Sequence, residues 1–246
     1  MPDLQWKKLK EIVDQSDNIV FFGGAGVSTE SGIPDFRSTD GLYHQEYRYP
    51  PETILSHTFF RQNPEEFYRF YRAKMLAPHA KPNAAHKKLA QWEKEGKLKA
   101  VITHNIDGLH QAAGSKTVLE LHGSTLRNYC MKCGRFYDQN AILESTGVPH
   151  CECGGVIKPD VVLYEESLNE RVLDGAIRSI AAADLLIVGG TSLAVYPAAG
   201  LLQYFEGDAL VLINKGATPM DKNADLLIQK PIGQIFSQMK VRGNRT

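Results

Sequence analysis

Short runs of aliphatic and β-branched residues alternate with helix-like segments, and this alternation constrains the fold of the chain most strongly. The runs are Asn18–Phe22, Lys99–Thr103, Val118–Leu121, Val161–Tyr164, Ala183–Val188 and Ala209–Ile213. Apolar spacing and capping residues predict helices over 4–15, 64–76, 83–95 and 168–182. This order predicts an α/β protein with a parallel sheet and helices on both faces. Because ligands bind at the carboxyl ends of such strands, we expect a site in the segments 23–37, 104–108, 122–124, 190–196 and 214–216.

Composition and charge exclude several classes of protein. Of the 246 residues, 43% are hydrophobic and 23% charged, which excludes collagen-like, coiled-coil and disordered chains. Lys and Arg total 28 and Asp and Glu total 28, so the chain lacks the basic excess of a phosphate-driven nucleic-acid binder. The uncharged stretch 185–205 has the length of a membrane span, but its glycines and Pro197 predict a strand, a turn and a helix beginning at Pro197. The first residues carry no apolar segment, so they do not have the pattern of a secretory signal.

All the cysteines lie in one short segment, as Cys130-x2-Cys133 and Cys151-x-Cys153. Without a secretion signal, a metal site is a better interpretation than disulfides. Two thiolate pairs at this separation resemble a zinc ribbon, in which four sulfurs form a closed tetrahedral site with no open position for catalysis. The second pair is tighter than the usual spacing, so His150 is an alternative ligand.

A glycine-rich turn follows the first predicted strand at Gly23–Ser28. Glycines at this position let the backbone approach a pyrophosphate. The dinucleotide fingerprint is incomplete because Thr29 stands where its third glycine belongs. The turn alone is therefore equally compatible with a glycine-rich connection between strand and helix that binds no ligand. The next segment, Ser31–Arg37, ends in Asp35, Phe36 and Arg37. The two charged residues could hold a polar ligand under the aromatic ring, but a turn with a surface ion pair is the simpler interpretation.

Two of the eight histidines, His104 and His122, follow predicted strands. His104 is next to Asn105 and close to Asp107, and His122 precedes Gly123. A histidine at a strand end is a candidate general base because its unperturbed pKa lies near neutrality. Taken singly, each is also compatible with a structural role.

Together and in this order, these segments resemble the sirtuins, the NAD-dependent protein-lysine deacylases. The resemblance covers residues 10–239 and fits a compact member of prokaryotic type, which implies a cytoplasmic enzyme. It is carried by Gly24–Arg37, Thr103–Asp107 with Leu109-His110 and Ala113-Gly114, Leu121–Gly123, the paired cysteines, Gly190–Leu193 and Val195–Pro197.

The resemblance implies a single catalytic domain over 1–246 in two parts. The large part is a Rossmann-like dinucleotide-binding sheet formed by 1–37, 83–123 and 158–246. The small module contains a helical segment, 38–82, and a zinc-binding segment, 124–157. The implied reaction removes acetyl and other acyl groups from protein lysines with NAD as co-substrate, and it yields nicotinamide, O-acyl-ADP-ribose and free lysine. Nicotinamide would inhibit as a product. Neither a membrane nor a nucleic acid is an expected partner.

The family motifs also imply roles for individual residues. Those expected to bind NAD are Gly24, Ala25, Gly26, Ser28, Thr29, Asp35, Phe36, Arg37, His104, Asn105, Ile106, Asp107, His122, Gly190, Thr191, Ser192, Asn214, Lys215 and Ile232. His122 and Asn105 are the expected catalytic residues, with His122 as the general base on the ribose hydroxyls. Phe36, Val162, Tyr164 and Val195 are expected to line the path of the acyl-lysine. The expected zinc ligands are Cys130, Cys133, Cys151 and Cys153.

The chain departs from the family pattern at several positions. Gly23 stands in place of a threonine, His104 in place of a glutamine, and Tyr164-Glu165-Glu166 in place of Phe-Gly-Glu. Sirtuins that remove acidic acyl groups carry a Tyr-x-x-Arg pair, whereas here Tyr68 and Arg72 are four positions apart. The two still share a helix face, so both are candidate substrate residues, although an exposed arginine is the simpler interpretation. We expect acetyl and longer apolar acyl groups to be preferred over acidic ones.

Three alternatives remain open from the sequence. A protein ADP-ribosyltransferase would use the same NAD cleft without needing an acyl group. A non-catalytic zinc protein that senses NAD would bind the dinucleotide and leave it intact. A dehydrogenase is weakened by the incomplete fingerprint and by the lack of a clear acidic ribose ligand downstream.

Overall fold

The computed structural model describes residues 2–35, 48–194 and 197–239. Its strands are β1 (Ile19–Gly23), β2 (Leu98–Thr103), β3 (Val118–Glu120), β4 (Gly123–Cys130), β5 (Phe136–Asp138), β6 (Ile157–Val161), β7 (Leu185–Gly189), β8 (Ala209–Ile213) and β9 (Leu226–Ile228). Its α-helices are α1 (Pro2–Gln15), α2 (Pro51–Ile54), α3 (His57–Gln62), α4 (Pro64–Phe70), α5 (Ala84–Lys94), α6 (Leu109–Ala112), α7 (Gln139–Leu143), α8 (Glu170–Ala182) and α9 (Ile232–Gln238).

The main sheet has six parallel strands in the order β3-β2-β1-β7-β8-β9. Both faces are covered. Successive side chains of a strand point to opposite faces, so Phe21 joins the core under α1, α5 and α9 while Phe22 joins the core under α8. Both rings are fully buried, and each burial contributes about 1.5–3 kcal/mol. The predicted α/β fold class is confirmed.

One predicted strand is wrong. The run Val161–Tyr164 was expected in the parallel sheet, but only its first residue is in a strand, at the end of β6. β6 pairs antiparallel with β4 in a separate three-stranded sheet of order β5-β4-β6. Its buried residues alternate with half-buried Lys158 and Asp160, which is the pattern of a strand with one covered face. This sheet continues to Val161, past the boundary predicted at residue 157.

The helices predicted over 4–15, 64–76, 83–95 and 168–182 are present as α1, α4, α5 and α8, with small differences in extent. The segment 64–76 is α4 followed by a π-helix at Tyr71–Met75, and the helix expected from Pro197 is a 3-10 helix at Ala198–Tyr204. No strand was predicted at β4, β5 or β9, and no helix at α6, α7 or α9. A third apolar cluster joins α2, α3 and α4 to the three-stranded sheet and forms the core of the small module. Among the described residues, no helix combines the length and apolar character needed to cross a membrane.

Candidate active site

A cavity of about 1270 Å³ opens at the carboxyl ends of the parallel strands. It lies where the strand order reverses, between β1 and β7, which is where open α/β sheets bind ligands. The following predicted site residues line it: Gly24, Ala25, Gly26, Ser28, Thr29, Asp35, His104, Asn105, Ile106, Asp107, His122, Val162, Tyr164, Gly190, Thr191, Ser192, Asn214, Lys215 and Ile232. Phe36, Arg37 and Val195 lie outside the described residues.

The glycine turn after β1 touches the loop after β7 without space for side chains. The Gly26 N–H donates to the Gly190 carbonyl over 2.8 Å. A Cβ atom at Gly26 would lie 2.9 Å from the Gly190 Cα, and one at Gly24 would lie 2.9 Å from the Thr191 Cβ. Two peptide backbones therefore meet directly at the cavity floor, which is the close approach that a pyrophosphate site requires.

The Ser28 hydroxyl is the centre of a buried polar network. It donates to Asp107 Oδ2 over 2.6 Å and accepts from Asn105 Nδ2 over 3.1 Å. The other carboxylate oxygen, Asp107 Oδ1, accepts the N–H of Leu109 over 2.9 Å. Hydrogen bonds from two directions fix this carboxylate beside the cavity.

His86 completes this network and was not among the predicted site residues. Its Nδ1 accepts the Asn83 N–H in the capping box that begins α5, so Nε2 carries the proton. That Nε2 lies 3.4 Å from Ser28 Oγ and donates to it. Burial lowers the pKa of His86 to about 4, so the ring is neutral at pH 7. The Asn-x-x-His spacing before an apolar run is the sequence signal that was available.

His122 follows β3 and has its tautomer set by a backbone carbonyl. Its Nδ1 lies 3.3 Å from the His104 carbonyl oxygen, so Nδ1 donates and Nε2 is the basic nitrogen. Burial lowers the pKa of His122, which keeps the ring neutral near pH 7. The next residue, Gly123, has φ 75°, and a Cβ there would lie 1.9 Å from the Asp160 carbonyl oxygen. Glycine is therefore required to bring the chain past β6 at this point.

The predicted zinc ligands form one cluster. Their sulfur atoms all lie within 4.8 Å of one another, with Cys130 Sγ 3.4 Å from Cys153 Sγ and Cys133 Sγ 3.6 Å from Cys151 Sγ. A tetrahedral zinc with bonds of about 2.3 Å separates its sulfurs by about 3.8 Å, so the arrangement fits four-thiolate coordination. The compressed Cys151-x-Cys153 pair reaches this geometry. The alternative ligand, His150, has its Nδ1 2.8 Å from the Val148 carbonyl oxygen instead.

The structure does not bring Tyr68 and Arg72 to the cavity wall. Tyr68 is fully buried and donates its hydroxyl to the Ile157 carbonyl over 2.6 Å. Arg72 donates to the Ile142 and Gly147 carbonyls and to Ser145 Oγ. Both side chains tie the small module together, because the shared helix face that the sequence predicted points into that module.

The fold and the site define an α/β nucleotide-binding protein with a separate four-thiolate centre. The model of the Sir2 family matches residues 24–197, more than half of the chain, and the chain belongs to this family. The resemblance to sirtuins is thereby confirmed.

Several known proteins are similar to the chain over nearly their whole length. An NAD-dependent protein deacetylase of Clostridium perfringens is 61% identical over 94% of this chain and 97% of its own. One from Staphylococcus epidermidis is 46% identical over 97% of each chain. A solved structure of Sir2 with a p53 peptide and NAD+ is 42% identical with a TM-score of 0.84, and it covers 94% of this chain and 95% of the other.

Proposed function

We propose that this protein removes acetyl groups from protein lysines with NAD as co-substrate, and that nicotinamide, O-acetyl-ADP-ribose and free lysine are the products. The names of the relatives support this reaction. The observation that carries it is the position of His122, whose neutral, oriented imidazole lines the same cavity as the glycine turn and Asn105.

The glycine turn and the loop after β7 hold the dinucleotide. NAD, when bound, supplies the ADP-ribosyl group that receives the acyl group and the nicotinamide that leaves. The backbone of Gly24–Gly26 meets the pyrophosphate, and Thr191 and Ser192 meet phosphate and ribose from the other side of the cavity floor. Asn214 and Lys215 follow β8, Ile232 begins α9, and these three residues line the same cavity and hold the adenosine.

The Ser28 network holds the nicotinamide end. Because Asp107 and Asn105 are both tied to the Ser28 hydroxyl, their polar groups present a fixed surface to the carboxamide. The backbone of Ile106 lies between them on the cavity wall. Such preorganisation places the reacting carbon of the ribose without a reorganisation cost during the reaction.

His122 moves the proton. Its Nε2 accepts a proton from a ribose hydroxyl, and the resulting imidazolium is stabilised by the His104 carbonyl that accepts from Nδ1. The lowered pKa of His122 keeps the base form available at pH 7. The four thiolates have no open coordination position, so the zinc that they would hold stabilises the small module and takes no part in the chemistry.

The acyl preference that we propose is acetyl and apolar groups over acidic ones. The arginine that was the candidate for binding an acyl carboxylate, Arg72, uses its guanidinium on groups inside the small module. The substrate side of the cavity instead presents Val162, Leu163 and Leu55. We also propose inhibition by released nicotinamide, and no nucleic-acid partner. Four thiolates in one metal-type cluster are typical of a reducing compartment, which supports a cytoplasmic location.

One assay tests the reaction: the protein is incubated with NAD and an acetyl-lysine peptide, and products are followed by mass spectrometry. Peptide-dependent release of nicotinamide with formation of O-acetyl-ADP-ribose is the expected result. ADP-ribose attached to protein would identify a transferase instead, and NADH would identify a dehydrogenase. Binding of NAD without turnover would identify an NAD-sensing zinc protein.

A further inference from the structure

Glu165 has an unusual backbone conformation on the substrate side of the cavity. Its φ is 74°, and Leu193 is the other non-glycine residue with positive φ in the described part of the chain. A side chain such as glutamate enters this region at a cost in conformational energy. Glycine enters this region without that cost, so the chain carries a carboxylate where a residue without a side chain would fit more easily.

The carboxylate of Glu165 is fixed in place. Its Oε2 accepts the N–H of Thr58 over 2.9 Å, in the first turn of α3. The preceding residue is held as well, because the Tyr164 N–H donates to the Leu55 carbonyl and the Tyr164 carbonyl accepts from the His57 N–H. The bonds to Thr58 lower the pKa of Glu165, so this exposed side chain is ionised at neutral pH.

The hydrogen bonds of Glu165 are made to Thr58, and the nearby His57 imidazole adds a smaller electrostatic contribution that also lowers the pKa of Glu165. The neighbouring Glu166 accepts from Lys158 Nζ over 3.1 Å and pairs with His57 Nδ1 over 2.9 Å. Glu165 instead bonds to a neutral backbone N–H. The residues between 161 and 173 that line the cavity, all of them described, include Glu165, Glu166 and Glu170 and no lysine or arginine.

This wall lies next to the catalytic histidine. The Val162 N–H donates to the His122 carbonyl over 3.0 Å, and the residues from Val162 to Leu168 line the same cavity. The wall that carries Glu165 therefore belongs to the same cavity that an acylated lysine must enter to reach His122.

We propose that Glu165 determines specificity for the protein substrate: its fixed carboxylate selects segments with lysine or arginine beside the acylated lysine and disfavours segments with aspartate or glutamate there. This inference rests on the proposed deacetylase function. The carboxylate is exposed, so the effect has the size of a surface ion pair, about twofold to fivefold in kcat/KM. It weakens as salt screens the charges.

The test uses three acetyl-lysine peptides that are identical except for the residues immediately before and after the acetyl-lysine, which are both Lys, both Ala or both Glu. The proteins compared are wild type, Glu165→Gln and Glu165→Gly. Glutamine keeps an acceptor for Thr58 and removes the charge, and glycine suits φ 74°. Glu11→Gln is the matched control, because it makes the same charge change on an exposed position of α1.

We expect wild type and Glu11→Gln to favour the Lys peptide over the Glu peptide at low salt, and both Glu165 variants to bring the two rates close together. An unchanged Lys-to-Glu ratio in Glu165→Gln overturns the inference, and so does a ratio near one in wild type. Turnover of the Ala peptide reports separately on the proposed function. If wild type fails to deacetylate all three peptides, the function itself is wrong.

Discussion

Replacing Ser28 by alanine removes one hydroxyl group and the three hydrogen bonds that it makes. The Ser28 hydroxyl is 2.6 Å from Asp107 Oδ2, 3.1 Å from Asn105 Nδ2 and 3.4 Å from His86 Nε2, and the residue is 1% exposed. The bond to a charged carboxylate is worth about 1.5–3 kcal/mol, and the two donors left without an acceptor add to the loss. We therefore expect Ser28→Ala to lower the free energy of unfolding by about 2–4 kcal/mol.

The same substitution should weaken NAD binding, because Asp107 and Asn105 lose the contact that orients them. Denaturant unfolding measures the stability and titration calorimetry measures the affinity for NAD. Ser237→Ala is the control, since that exposed hydroxyl donates only to the Gln234 carbonyl within its own helix end. A Ser28→Ala protein with the stability and NAD affinity of this control would refute the network as the element that organises the nicotinamide end.

Three further predictions concern the metal, pH and acyl selectivity. Cys151→Ser should lower the zinc content from about one per chain and unfold the small module first, because binding free energy is folding free energy there; full zinc content by metal analysis would contradict this. Burial lowers the pKa of His86 from 6.5 to about 4 and the pKa of His110 from 6.5 to about 3. Below pH 6.5 the unfolded chain therefore binds protons at these two rings that the folded chain does not bind. Stability should therefore fall as pH drops from about 6.5 towards 4, and denaturant unfolding that is flat over this range would be inconsistent with two neutral buried rings. Arg72→Ala should lower the melting temperature, because hydrogen bonds inside the small module are lost, and should leave the ratio of kcat/KM for acetyl- and succinyl-lysine peptides unchanged. A change in that ratio would show that Arg72 contacts the acyl group.

The parallel sheet was predictable because its central strands are mostly buried and therefore read as nearly uninterrupted apolar runs. β7 and β8 are the clearest cases, since nearly every residue of each is buried. The run at Val161–Tyr164 is also apolar, but only Val161 belongs to a strand. It is the last residue of the antiparallel strand β6, in which buried and half-buried residues alternate. Composition alone cannot separate these two situations. β9 was missed, although β3 is an edge strand of the same three-residue length and was predicted.

The cavity residues were predictable as a set because they follow the strand ends in a recognisable order. Their mutual contacts were not, since each depends on distant segments that the fold brings together. His86 is 58 positions from Ser28, yet the two share a hydrogen bond. For Tyr68 and Arg72, helical spacing correctly predicted that the two side chains share a face. It could not predict that this face contacts the small module and not the cavity.

The most direct test of the account is the rate of acyl transfer in His122→Ala. Single-turnover formation of O-acetyl-ADP-ribose from NAD and an acetyl-lysine peptide is measured beside wild type and beside His79→Ala, an exposed histidine as control. We predict a loss of about 100-fold to 10,000-fold in His122→Ala, with NAD affinity retained and the control unaffected. Formation of O-acetyl-ADP-ribose at nearly the wild-type rate in His122→Ala would contradict it.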